Sequence, residues 1–315
     1  MHITLRQFRV FEAVARHRSF TQAAKELHLS QPAVSMQVKQ MEEQVGLPLY
    51  EQVGKQIHLT EAGEEIFHYS RAIGQLLDEA EEVINELKGA HRGRLTISVA
   101  STANYFVPTL LGVFHERFPG VTVSLDVTNR ETLLEQLSEN LVDLVVMGQP
   151  PKDMDLESGI FMDNPLVITA PPNHPLAGEK NIPLKRLEDE VFLTREPGSG
   201  TRSAIERFFN AHGVRLNTGM EIASNEAIKQ SVQAGLGLGL LSRDTLDMEL
   251  SLGKLVILDV EDFPILRHWY VMHRKGKRLS AVAQAFKQFL LEEANELLHA
   301  NSSKHEHKDQ QTNPR

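Results

Sequence analysis

The sequence contains no cysteine. Disulfides, thiolate metal sites and thiol nucleophiles are therefore excluded, and a reducing compartment is the expected setting. The chain also has no run approaching the ~18 uninterrupted apolar residues of a membrane-spanning helix, and its first residues have no apolar core after a basic start. We therefore expect a cytoplasmic protein that is neither secreted nor membrane-embedded.

Positive charge is also scarce: 33 Lys and Arg residues stand against 42 Asp and Glu residues, which gives a net charge of −9. This balance argues mildly against binding to nucleic acid, whose phosphates are neutralised by Lys and Arg. The charge is uneven, however, because residues 1–59 carry +2, residues 60–93 carry −5 and the remainder carries −6. A weakly basic N-terminal segment on an acidic body is compatible with DNA binding through that segment alone.

The chain has ample material for buried cores. It is 315 residues long, with 41% apolar and 24% charged residues, and these values are typical of globular proteins. At ~100–200 residues per domain, two or three domains are expected.

Three helices are predicted in the first 45 residues. Thr4 and Ser19 each precede a glutamine by three residues, which is the spacing of a capping box, and Ser30 precedes a proline suited to a first helical turn. A short helix, a brief turn and a second capped helix form a helix-turn-helix, whose second helix can enter the major groove of DNA. The alternative is an ordinary helical hairpin with a solvated polar face.

The third helix and the segment after it supply the candidate DNA contacts. An apolar stripe that starts at Val34 predicts the buried face, and the opposite face carries short or hydrogen-bonding side chains suited to base edges. Two strand-like pieces around Gly54 then indicate a wing whose tip can reach phosphate or the minor groove, although a lysine there is equally typical of a solvated hairpin. The candidates are Gln31, Pro32, Ser35, Met36, Lys39 and Lys55.

A long helix is predicted from Thr60 to about Lys88, because this stretch contains no proline. Apolar residues recur there every seven positions in two interleaved series, as in the seam of a coiled coil, so we expect two chains to pair as a homodimer. Residues 89–94, with glycines at 89 and 93, are interpreted as a hinge. The two series are Ile66, Ile73, Ala80 and Leu87, and Ala62, Tyr69, Leu76 and Val83.

At this point the sequence resembles the LysR-type transcriptional regulators, in residues 20–24, 29–35 and 59–63 (FTQAA, LSQPAVS and LTEAG). More narrowly, it resembles the branch that controls Calvin-cycle (Rubisco) operons. That likeness lies in residues 99–106, 129–132, 146–151 and 195–202 (VASTANYF, NRET, VMGQPP and REPGSGTR). Together the similarity extends from residue 4 to about residue 295.

The resemblance implies a cytoplasmic bacterial regulator that binds double-stranded promoter DNA, works with RNA polymerase and assembles as a dimer or homotetramer. Its fold would be an N-terminal all-α winged helix-turn-helix with a long linker helix, followed by a two-lobed α/β effector domain of the periplasmic-binding-protein type. In such proteins the positions that match Gln31, Pro32, Ser35 and Met36 contact bases. Many relatives carry arginine where this chain has Met36.

Residues 95–298 are predicted to form that effector domain, because strands and helices alternate in a pattern typical of mostly parallel sheets. Lobe I is expected to comprise about 95–164 and 265–298, and lobe II about 165–264. Residues 299–315 contain almost no apolar side chains, and we expect them to be disordered.

Ligands of such sheets bind beyond the carboxyl ends of the strands, often at helix N-termini that favour anions. Arg195 and Arg202 would add positive charge, so we expect a small anionic effector, and we expect Arg202→Ala to weaken its binding while DNA binding is kept. The alternative is that the hydroxyl side chains are plain helix caps and Arg202 a surface arginine. The effector candidates are Ser101, Thr102, Asn104, Thr128, Asn129, Gln149, Arg195, Ser199, Thr201, Arg202 and Asn225.

The resemblance implies a metabolite such as a sugar phosphate, phosphoglycolate or a nicotinamide nucleotide as the effector. No cofactor, metal site or catalytic residue is expected, since no ligand spacing or phosphate-loop motif is complete. A small-molecule binding or transport component and an enzyme on the two-lobed fold are the competing functions. The predicted function is sequence-specific transcriptional regulation of a carbon-fixation operon, or of another metabolic operon, in response to a small anion.

Overall fold

The computed structural model describes residues 2–53, 56–87 and 93–309. The chain divides into two units, residues 1–90 and residues 91–315. None of the helices in the described ranges combines the length and apolar character needed to cross a membrane.

The first unit begins with the three predicted helices, α1 (Leu5–His17), α2 (Phe20–Glu26) and α3 (Gln31–Val45). The predicted caps are confirmed: the Gln7 amide N–H donates to the Thr4 hydroxyl at 3.3 Å while the Gln7 side chain accepts from the Thr4 N–H at 2.9 Å. Ser30 accepts from the Ala33 N–H at 3.4 Å. The three helices enclose one apolar core that contains Val10, Phe11, Val14, Ala23, Val34, Val38 and Met41.

The predicted wing is present as two antiparallel strands, β1 (Tyr50–Val53) and β2 (Gln56–Leu59). Gly54 and Lys55 lie outside the described residues, so the predicted contact of Lys55 with DNA stays a prediction. The long helix α4 then runs over Glu61–Leu87, close to the predicted range.

The two ends of the α4 stripe differ in surroundings. Ala62 and Ile66 pack against the core of the first unit, and so belong to it rather than to a free seam. Farther along, Tyr69 and Leu76 are 57% and 64% exposed. The Val83 and Leu87 side chains lie outside the description.

Gly63 sets how closely α4 approaches the segment before the wing. A Cβ atom added at this buried glycine would lie 1.8 Å from the carbonyl oxygen of Leu49, an oxygen that accepts from the Thr60 N–H at 3.2 Å. The clash is with backbone, so a methyl group here has no flexible neighbour to displace.

Gly63→Ala is therefore expected to lower the free energy of unfolding of the first unit by ~1–3 kcal/mol, the usual cost of overpacking. Gly74→Ala is the matched control, because nothing lies within 4 Å of its added Cβ and helix propensity favours alanine by about 1 kcal/mol. Urea unfolding followed by circular dichroism measures both. Equal stability of the two variants would contradict this account of the Gly63 contact.

The described part of the second unit contains two five-stranded sheets. The strands are β3 (Gly93–Ala100), β4 (Val121–Thr128), β5 (Leu144–Met147), β6 (Leu156–Asp163), β7 (Leu166–Ala170), β8 (Val191–Thr194), β9 (Asn217–Glu221), β10 (Leu238–Ser242), β11 (Val256–Ile257) and β12 (His268–Arg274). The first sheet has the strand order β4-β3-β5-β12-β6 and the second the order β11-β7-β10-β8-β9.

Helices cover these sheets, and each lobe has its own apolar core. The chain crosses between lobes twice, near Asn164 and near Arg267, and the Asn164 N–H donates to the Arg267 carbonyl at 2.7 Å. The helices are α5 (Val107–Arg117), α6 (Arg130–Ser138), α7 (Gly200–Ala211), α8 (Asn225–Gln233), α9 (Asp247–Ser251) and α10 (Ala281–Asp309).

Three boundaries differ from the sequence interpretation. Residues 93 and 94 of the predicted hinge belong to β3, where a Cβ on Gly93 would lie 2.6 Å from a Val282 methyl of α10; residues 89–92 lie outside the described residues. The edge strand β6 was not predicted, because Ser158 and Gly159 interrupt its apolar pattern. The last helix, α10, continues to Asp309, past the boundary at residue 298 that the sequence suggested, through a segment without Gly or Pro.

Candidate functional site

A cavity of about 810 Å³ lies between the two lobes of the second unit. The carboxyl ends of the parallel strands β3, β4 and β5 open into it, as does the turn before α7. Gly198 in that turn has φ +83°, a conformation that favours glycine. The cavity is thus at the edge where doubly wound sheets bind their ligands.

Most of the sequence-predicted effector residues line this cavity. Thr102, Ser199 and Thr201 are buried, and so is Arg195. The lining members of the predicted set are Ser101, Thr102, Thr128, Asn129, Gln149, Arg195, Ser199 and Thr201.

The helix-cap alternative applies to some of these residues and not to others. The Asn129 side chain accepts from the Thr132 N–H at 2.9 Å and so caps α6. The Ser199 hydroxyl, by contrast, makes no capping hydrogen bond although Ser199 precedes α7. Ser101 accepts from Arg195 Nη2 at 3.4 Å. Ser199 is therefore a stronger candidate for a ligand contact than Asn129.

Asn104, Arg202 and Asn225 do not line the cavity. Asn104 is exposed, and the Asn225 amide donates to the Tyr105 hydroxyl at 3.2 Å. Arg202 pairs with Glu206 at 2.8 Å and with Glu221 at 2.6 Å, and these two carboxylates raise the pKa of its guanidinium. The sequence pattern located Arg202 near the right turn but offered no means of assigning its helical face.

Arg202→Ala is accordingly expected to leave effector affinity within about twofold of the wild-type value, contrary to the sequence expectation. Its charge is already paired outside the cavity, and exposed pairs of this kind contribute ~1 kcal/mol or less. Calorimetric titration of an anionic ligand into the variant measures the effect. A tenfold loss of affinity would return Arg202 to the site.

Arg195 also has a charge partner. Its Nε lies 2.7 Å from a carboxylate oxygen of Glu196, within the same cavity wall. The guanidinium thus ties lobe II to Ser101 of lobe I, and its charge is largely balanced before any ligand binds.

Three arginines that the sequence reasoning missed also line the cavity: Arg130, Arg207 and Arg267. Arg130 donates to the Gln149 carbonyl at 2.9 Å. Arg267 donates to Asn164 Oδ1 at 3.2 Å, but its buried Nε has no hydrogen-bond partner.

The pKa values of Arg130 and Arg267 are both lowered, mainly because the two side chains are buried. The nearby positive charge of Arg207 is the second cause, and the pKa of Arg267 falls to about 10. Desolvated cations of this kind favour an anion.

A topological signal for Arg267 was available. It immediately precedes β12, which runs antiparallel to β5. The start of an antiparallel strand lies at the same edge as the carboxyl ends of its parallel neighbours.

Arg207 follows Gly200 by seven positions in α7, about two turns, so the two residues lie on the same helical face. Within the described residues, no three His, Asp or Glu side chains are grouped to hold a metal ion.

The candidate DNA-reading surface is on α3. Gln31, Pro32 and Lys39 are exposed, Met36 is 54% exposed, and Ser35 is half-buried. The opposite face is buried through Val34 and Val38. This half of α3 is therefore free to meet base edges in a major groove.

A helix-turn-helix unit and a two-lobed unit with a cationic cavity define a ligand-responsive DNA-binding protein. Two family descriptions match the chain: "Bacterial regulatory helix-turn-helix protein, lysR family" at residues 5–64 and "LysR substrate binding domain" at residues 88–295. The chain belongs to the LysR family of transcriptional regulators.

Similar proteins agree with this assignment. A "RuBisCO operon transcriptional regulator" of Allochromatium vinosum is 59% identical over 93% of this chain and 97% of its own length. The regulatory domain of CcmR from Synechocystis PCC6803, solved in complex with 2-PG, is 46% identical, with a TM-score of 0.62 over 64% of this chain and 96% of that one. A full-length OxyR variant of Pseudomonas aeruginosa is 22% identical, with a TM-score of 0.72 over 92% and 98% of the two chains, which shows the shared fold.

Proposed function

We propose that this LysR-type regulator controls a carbon-fixation operon and that a small anionic metabolite binds in its inter-lobe cavity. The observation that carries the operon assignment is the 59% identity to a RuBisCO operon regulator over almost the full length of both chains. A likeness of this extent includes the DNA-reading helix as well as the effector unit. Sequence-specific binding to a promoter of this kind is the expected activity.

The chemistry of the cavity supports an anionic effector. Among the described lining residues are the cations Arg130, Lys152, Arg195, Arg207 and Arg267, against one carboxylate, that of Glu196. Guanidinium groups bind carboxylate and phosphate through paired N–H donors. The 46%-identical CcmR domain was solved with 2-PG, which makes 2-phosphoglycolate the first ligand to test.

Homodimer formation through α4 is the part of the proposal that DNA recognition requires. Tyr69 and Leu76 present exposed apolar side chains on α4, seven residues apart as in a coiled-coil seam. A two-fold dimer would place two α3 helices on two half-sites of an operator. Assembly to a homotetramer and contact with RNA polymerase complete the proposal and follow from the resemblance to the family.

The experiment is equilibrium binding of the full-length protein to fluorescent DNA from the promoter of the Rubisco-type operon in its own genome. Binding is measured at two salt concentrations, with excess competitor DNA, and with or without 2-phosphoglycolate. We expect competitor-resistant binding whose affinity changes at least threefold with the ligand. If excess competitor DNA displaces the promoter DNA, the operon assignment is contradicted. Specific binding without a ligand response would contradict the proposed effector class.

A further inference from the structure

Two arginine side chains from different parts of the second unit reach the first residue of α7, and a third arginine lies farther along that helix on the same cavity wall. Arg130 belongs to α6 of lobe I, and its Cδ atom lies 3.8 Å from the position that a Cβ on Gly200 would take. Arg267, in the crossover between lobes, donates to the Gly200 carbonyl at 3.5 Å. Arg207 is two turns farther along the same face of α7, and Gly200 and Arg207 line the same cavity wall.

These three arginines differ from the other arginines near the cavity in their lack of a described ion pair. Arg195 and Arg202 each form an ion pair, whereas the structure describes no ion pair for Arg130, Arg207 or Arg267. Arg130 and Arg267 donate to neutral oxygens. Asp153 and Asp244 offset the charge of these two only at longer range.

The cluster therefore places like charges across the cleft. Arg130 projects from lobe I toward α7 of lobe II, and Arg207 on α7 lowers the pKa of both Arg130 and Arg267. Such repulsion disfavours a closer approach of the lobes. An anion bound between the guanidinium groups would replace this repulsion with attraction, because each guanidinium then attracts the same ligand.

We propose that Arg130, Arg207 and Arg267 form one seat that selects ligands with at least two negative charges, and that such a ligand draws the lobes together by cancelling the repulsion between Arg130 and Arg207. This inference rests on the proposed anionic effector and adds its charge class and its means of action. A monoanion of the same skeleton neutralises one guanidinium and leaves the others opposed. A ligand shifts a conformational equilibrium only by its difference in affinity for the two forms, and here that difference comes from charge.

Removal of one charge should imitate part of the effect of the ligand. In Arg207→Gln the repulsion on Arg130 is gone before any ligand binds, so the ligand-free variant should resemble the ligand-bound wild type. It should also bind the dianion more weakly, because one donor is lost. A purely structural role for Arg207 predicts neither this combination nor its dependence on ligand charge.

The chain provides its own reporter. Its one tryptophan, Trp269, lines the cavity and donates its indole N–H to Asp244 at 3.3 Å. The experiment titrates the full-length protein with 2-phosphoglycolate, glycolate and inorganic phosphate and follows Trp269 fluorescence and heat. The variants are Arg130→Gln and Arg207→Gln. Arg186→Gln is the charge-matched control, since Arg186 is exposed in lobe II and pairs with Glu179.

We expect the wild type to prefer 2-phosphoglycolate to glycolate at least 100-fold, and both cavity variants to lose at least tenfold in affinity for 2-phosphoglycolate. Arg186→Gln should stay within twofold, and ligand-free Arg207→Gln should show a spectrum shifted toward that of the ligand-bound wild type. Equal affinity for glycolate, unchanged affinity in Arg207→Gln, or no binding of any of the three anions to the wild type would overturn the proposal.

The outcome is separable from that of the proposed function. A regulator that binds its operator and responds to a metabolite, but binds monoanions as well as dianions, would keep the proposed function and refute the arginine seat. Arginine-dependent binding of the dianion without specific operator binding would do the reverse.

Discussion

Ser35→Glu is expected to reduce operator affinity at least 100-fold while leaving the second unit unaffected. Ser35 is on the free half of α3 next to the exposed Met36, where a bulky carboxylate would meet base edges and phosphates. A lost base contact costs ~1–3 kcal/mol, and like-charge juxtaposition adds several kcal/mol. Fluorescence anisotropy with operator DNA measures the loss.

Gln44→Glu is the matched control for this substitution. It introduces the same charge on the same helix, at an exposed position in the last turn of α3, away from the predicted base contacts. We expect its affinity to stay within threefold of the wild type. Operator binding that survives Ser35→Glu would show that α3 is not the reading helix.

Leu76→Glu is expected to weaken homodimer formation at least 100-fold. Leu76 is 64% exposed in the single chain and lies at the centre of the predicted seam, so both copies would be buried in a dimer. Burial of a leucine side chain contributes about 1.5–3 kcal/mol. In the variant, the glutamates of the two chains would also place like charges in the same seam. Sedimentation as a function of protein concentration measures the shift from dimer to monomer.

His68→Glu is the corresponding control. His68 is an exposed residue of α4 outside the heptad series, so the same side chain there should leave the assembly unchanged. Operator affinity should fall in parallel with dimerisation in Leu76→Glu, since a monomer presents a single reading helix. Assembly and operator affinity equal to wild type in Leu76→Glu would exclude α4 as the dimer interface.

The first unit could be predicted from the sequence because its signals are local. Thr4 and Ser30 mark the beginnings of helices, and the stripe from Val34 to Met41 predicts which face of α3 is buried. Each of these features depends on residues within one or two turns. Local patterns also located the strand ends that form the cavity. They did not reveal β6, in which Gly159 leaves room for the Leu291 side chain of α10 where a Cβ atom would otherwise lie.

The charge distribution of the cavity could not be predicted in the same way. Arg195 and Arg202 both lie in the motif before and within α7, yet Glu196, Glu206 and Glu221 neutralise them. Glu221, which pairs with Arg202 outside the cavity, is 19 residues away from it in sequence. Conversely, Arg267 lies where the chain makes its predicted return to lobe I, but its place in the cavity depends on the antiparallel pairing of β12 with β5, which its neighbours in sequence do not determine.

The most direct test of the account is whether the two units of this chain are energetically linked through the cavity. Operator affinity is measured with and without saturating 2-phosphoglycolate, and the affinity for 2-phosphoglycolate is measured with and without saturating operator. Linkage requires that both affinities change by the same factor. We predict a common factor of at least three, reduced toward one in Arg130→Gln. A factor of one in both directions, with ligand and DNA each bound, would contradict the account.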